Sequence, residues 1–87
     1  MTLNFPNQSR SYDEKRNLVR FWGYDRSLEV SFFVAASALH KLCPQAGTAE
    51  AEYLEAFDTA RDRIQETARK MYSRSRKDAY LLADTDF

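Results

Sequence analysis

Leu28, Val30, Phe32 and Val34 recur at every second position of the stretch Leu-Glu-Val-Ser-Phe-Phe-Val. Period two places them on one face of a strand, the clearest strand in the chain. Asn17 to Tyr24 is rich in β-branched and aromatic residues and predicts a second strand. Asp25-Arg26-Ser27 between them reads as a turn. Upstream, Leu3 to Pro6 and Ser9 to Asp13 read as extended segments, with Asp13-Glu14-Lys15-Arg16 as a polar turn. Residues 1–34 are therefore expected to form a strand meander.

The pattern then changes to helical spacing. Ala, Leu, His and Lys predict a short helix over 35–43, closed by Pro44 and Gly47. A long helix is expected over 48–73, with Thr48 as N-cap and Glu50 and Glu52 in the first turn. Tyr53, Phe57, Ala60, Ile64 and Met71 form its apolar stripe, widened by Leu54 and Ala68. Asp58 with Arg61 and Glu66 with Lys70 are favourable surface pairs. Residues 79–83 read as a final strand. The order β-β-β-α-α-β, with strands and helices segregated, predicts α+β architecture: an antiparallel sheet covered by one long and one short helix. Phe57 and Ile64 are expected to pack on Val30 and Phe32.

Short motifs line up along nearly the whole chain. They are Leu3-Asn4-Phe5-Pro6-Asn7, Tyr12-Asp13, Val19-Arg20-Phe21, Ala38-Leu39, Ala56-Phe57 with Arg61, Asp62, Ile64 and Ala68, and Tyr80-Leu81-Leu82 with Asp86-Phe87. In order and spacing the chain resembles the small bacterial family catalogued as domain of unknown function 1488. The resemblance implies a compact protein with no assigned activity and offers no catalytic residues to carry over.

Composition narrows the functions. At 87 residues the chain suits one domain, 1–87, whose stability margin is thin. Formal net charge is zero, so long-range steering towards nucleic acid or an anionic membrane is absent. A single cysteine, Cys43, allows no internal disulfide. The start lacks a basic n-region and an apolar h-region, and no run suits a membrane span. These features together predict a cytoplasmic protein.

Candidate chemistry is sparse. His40 and Cys43 sit three apart, but the chain offers no second His or Cys towards a zinc site. A buried Cys43 and a surface His40 at a helix C-terminus are expected instead. Glu50, Glu52, Glu55, Asp58, Asp62 and Glu66 read as a solvated helix face. The two glycines, Gly23 and Gly47, make no phosphate loop. No catalytic, cofactor or metal residues are assigned. The cations of Arg69, Lys70, Arg74, Arg76 and Lys77, with Tyr72 as a stacking ring, are a candidate anion or nucleic-acid contact. They also complement a helix C-terminus.

The candidate interface is apolar. If Val19 and Phe21 face the core with Val30 and Phe32, then Leu18, Trp22 and Phe33 face the other way, with Tyr24 nearby. The opposite register would bury Arg20. Two outcomes follow: either the second face is an interaction surface, or the N-terminal segment folds over it through Leu3 and Phe5. Aromatic residues at 14% and a helix on the order of 37 Å long at 1.5 Å per residue add to the case for a partner. The expectation is a non-enzymatic interaction or regulatory module that self-associates, most simply as a homodimer, with an unidentified protein partner as a further option. Weak nucleic-acid or anion binding through 69–77 is the alternative.

Overall fold

In the computed structural model, residues 3–6, 8 and 10–87 are described. Ser9, expected to open an extended segment, and Asn7 of the opening motif lie outside them. Strand β1 spans Arg10–Asp13, β2 Leu18–Asp25 and β3 Leu28–Ala35. Three helices follow: α1 (Ala36–Leu42), α2 (Glu50–Thr59) and α3 (Arg61–Arg74). Strand β4 (Ala79–Leu82) and a short 3-10 turn at Asp84–Asp86 end the described order. The architecture is α+β, with a four-stranded sheet in the order β1-β2-β3-β4.

The meander is antiparallel through β3, whereas β4 lies parallel to β3, so the sheet is mixed. The connection through three helices returns the chain to the end of the sheet where β3 began, a crossover only a parallel pair needs. The register pairs Val19 with Val34, Phe21 with Phe32 and Phe32 with Tyr80. A slip of one residue would turn Arg20 and Trp22 into the core.

The core lies on one face of the sheet. Val19, Phe21, Val30, Phe32, Val34 and Leu82 pack with Leu39, Phe57, Ile64 and Ala68 of the helices. Phe57 and Ile64 are thus buried in one cluster with Val30 and Phe32, as their spacing predicts. Three rings form a row across three strands: Phe21 stacks on Phe32 at 5.2 Å, and Phe32 on Tyr80 at 5.2 Å. Phe57 closes the row from α2, 5.1 Å from Phe21. The core therefore absorbs most of the aromatic side chains, which weakens the argument that they need a partner.

The expected long helix is two helices. Ala60 leaves helical geometry, with φ −100° and ψ 13°. The Thr59 hydroxyl bonds back to the Glu55 carbonyl at 3.0 Å, a contact that bends helices. Arg61 lies over the Phe57 ring and bonds Asp58 at 2.6 Å across the break. The break removes the argument from an overhanging rod, and the chain measures 36 × 23 × 22 Å. The cap of α2 also differs: it is Ala49, not Thr48. Ala49 has no side-chain acceptor, and the Glu52 carboxylate reaches back to its N–H at 3.3 Å.

The N-terminal segment packs on the core face. Leu3 is buried, and Asn4 and Tyr24 exchange two backbone hydrogen bonds of 2.8 Å. The Phe5 ring lies 5.8 Å from Phe21 and 5.9 Å from Phe32. Leu3 and Phe5 are thus taken up by the core, so of the two outcomes open from sequence they do not supply the cover over the opposite face.

Candidate functional site

Strand alternation sets the composition of the outer sheet face. β2 turns Arg20, Trp22 and Tyr24 outward, β3 turns Glu29, Ser31 and Phe33, and β4 turns Ala79 and Leu81. Phe33 sits between Arg20 on one side and Leu81 on the other. Trp22, Tyr24 and Phe33 are half-buried, and Leu81 is 56% exposed. Leu18, expected to share this surface, is only 9% exposed and adds little to it. Leu81 replaces it. Its contribution was hidden in the sequence because the position of β4 beside β3 is set by a long-range pairing.

The polar groups of this face satisfy one another. Arg20 Nη2 donates to Glu29 Oε2 at 3.1 Å and to Ser31 Oγ at 3.0 Å. Its guanidinium also lies 4.6 Å from the Trp22 ring centroid. The patch is therefore apolar and locally neutral, with one cation and one anion already paired. Such a surface repels neither a neutral partner nor its own copy.

The cations of the basic segment are exposed, and three of them already have a side-chain neighbour. Arg69 lies over the Phe5 ring at 5.0 Å, and Lys70 pairs with Glu66 at 3.5 Å. Arg76 lies 5.7 Å from the Tyr72 ring centroid. Tyr72, proposed from sequence as a stacking ring, is buried, so no base can lie on it. Its hydroxyl donates to Asp25 Oδ2 at 2.6 Å, and that bond, with burial, pushes the phenol pKa up. Lys70 and Arg74 share a small cleft of about 290 Å³ with Thr67, Met71, Thr85 and Asp86, whose carboxylate opposes an anion there. Arg74 and Lys77 are exposed, as are Arg69, Lys70 and Arg76.

His40 and Cys43 do not face one another in hydrogen bonding. The His40 Nε2–H donates to the Gly47 carbonyl at 3.1 Å, and the ring meets Tyr53 edge-on at 5.4 Å. His40 is half-buried, a correction to its expected surface position, because Tyr53 of α2 packs on it. Cys43 is half-buried too, with Sγ 3.7 Å from the Ala56 carbonyl it donates to. Among the described residues no group of three or more His, Cys, Asp or Glu is placed to hold a metal ion.

One carboxylate cluster has tertiary reach that sequence spacing could not show. Arg10 binds Asp58 through Nε at 2.9 Å and Nη2 at 2.8 Å, and Arg61 also donates to Gln8 O at 3.1 Å. Burial alone would lift the Asp58 carboxyl, but hydrogen bonds from Arg10 and Arg61 outweigh it and hold the pKa below the usual range. These residues line an open cleft of about 540 Å³ with Thr59 and Asp62. Two guanidinium cations meet two carboxylates there, so the cluster is a structural clamp between β1 and the α2–α3 joint. Glu50, Glu52, Glu55, Asp62 and Glu66 are exposed.

No helix among the described residues is long and apolar enough to cross a membrane. Residues 3–82 match the family described as "Protein of unknown function (DUF1488)". A crystal structure of a protein of unknown function from that family, from Shewanella loihica PV-4, is similar over 94% of each chain, with a TM-score of 0.82 and 16% identity. At that identity the likeness speaks to fold alone. No curated protein matches the chain.

Proposed function

Because the chain belongs to the DUF1488 family, whose description assigns no activity, its role has to be read from its surface, and we propose a non-enzymatic interaction or regulatory module that self-associates through the outer face of its sheet. The reading places the protein in the cytoplasm, as a homodimer. The observation that carries it is the row Trp22, Phe33 and Leu81 beside the self-neutralised Arg20–Glu29 pair. All three helices supply residues to the opposite, core face, which leaves this one partly open among the described residues. A two-fold contact is the commonest way to cover such a face, and it requires a surface compatible with itself. An apolar patch without unbalanced charge meets that requirement.

Sedimentation equilibrium across the micromolar range tests the reading. A dimer mass is expected, and Trp22→Glu should convert it to a folded monomer by placing a carboxylate on each side of the contact. A wild-type monomer at every concentration would end the proposal.

A further inference from the structure

The slot that holds Phe5 is built from elements far apart in sequence. Its floor is Gly23, and its walls are Phe21 of β2 and Phe32 of β3. Arg69 of α3 lies over the open side of the ring. Beside the slot, Tyr24 presents its backbone N–H and C=O on the edge of β2 that β1 does not reach. Together they form a receptor for one extended segment: a strand edge gives the backbone bonds and a pocket takes an aromatic side chain.

The segment now in that receptor is anchored separately from β1. β1 has its own ladder from Arg10↔Phe21 to Asp13↔Leu18 and the Arg10–Asp58 pair. From Asn4 to Arg10 the chain advances six residues, while their partners Tyr24 and Phe21 are three apart. Leu3–Pro6 is therefore joined to β1 through more residues than the register between their partners requires.

We propose that this slot exchanges its occupant: the Leu3–Pro6 segment of a second copy takes the place of the chain's own. Every contact made within one chain is remade between two, so the exchange loses no bond or buried ring. The two arrangements differ mainly in effective concentration, which a short tether sets in the millimolar range. Segment exchange is a low-cost route to association on that ground. It is independent of pairing through the outer sheet face.

A synthetic peptide of residues 1–8, titrated into full-length Phe5→Ala and wild-type protein, tests the proposal. Folded Phe5→Ala should bind the peptide at least roughly tenfold more tightly than wild type, whose slot is already filled. A peptide carrying Ala at position 5 should not bind. Equal or absent binding to folded Phe5→Ala and wild type overturns the proposal. Should Phe5→Ala not fold, Asn4→Cys/Tyr24→Cys in a Cys43→Ser background decides. Oxidised at rising concentration, it should give a growing share of covalent dimer. Cross-links that stay within one chain up to millimolar protein overturn exchange, and pairing of sheet faces alone leaves them within one chain.

Discussion

Phe5 lies directly against the α-carbon of Gly23: a β-carbon at that glycine would stand 2.9 Å from the ring and 2.7 Å from the Asn4 carbonyl oxygen. The only residue that fits under Phe5 is one with no side chain. Gly23→Ala should therefore lift the N-terminal segment and cost about 1–3 kcal/mol, the usual range for overpacking. Because the two positions share one contact, Gly23→Ala and Phe5→Ala together should cost less than their separate effects, measured by urea unfolding. Strict additivity would mean that the ring and the glycine do not touch in solution.

The Asp58 clamp predicts an acid limb. A carboxyl whose folded pKa is depressed contributes stability above its unfolded pKa and loses it as pH falls through the folded value. Wild type should therefore lose melting temperature as pH drops below about 4. Asp58→Asn should be less stable by about 1 kcal/mol at neutral pH, a modest figure because the carboxylate is partly solvated. The difference should close towards the acid end. A gap that stays constant from pH 7 to pH 2, values that bracket ordinary carboxylate titration, would assign the loss to shape and not to charge.

The neighbours of the basic residues, with a formal net charge of zero, predict weak contact with nucleic acid. Arg69, Lys70 and Arg76 are each engaged by a different neighbour, and Tyr72 is buried. Fluorescence anisotropy with single-stranded DNA at physiological salt should show no saturable binding. Tight binding whose salt slope falls on changing Arg74, Arg76 and Lys77 to Ala would restore those residues as a contact surface.

The parts of the fold legible in sequence are those set by local period. Val19 and Phe21 alternate with Arg20 and Trp22, and since Arg20 is costly to bury, only one register of β2 survives. Phe57 of α2 and Ile64 of α3, seven apart, are both buried in the one core even though Ala60 separates the two helices, because the backbone bonds Ala60 N–H to Ala56 O and Ile64 N–H to Ala60 O carry the helical spacing across the break. Other features depend on partners distant in the chain. Nothing in Ala-Tyr-Leu-Leu says whether β4 runs with or against β3. Ala60 is a good helix former, so its sequence gives no sign of the break. Tyr72 lies among cations in sequence, and its buried place depends on Asp25, on another element, which accepts its hydroxyl.

The parallel placement of β4 has a consequence for how the molecule is made. Ser31 and Ala79 pair across 48 residues of chain, from 31 to 79. Until α1, α2 and α3 dock, β3 keeps one bare edge, with Phe32 and Phe33 on its two sides. Closing so long a loop before its contacts form is slow, and a bare apolar strand is a template for the wrong chain. Refolding from denaturant should therefore lose yield steeply as protein concentration rises, and Leu82→Asp should worsen the loss by delaying the last strand.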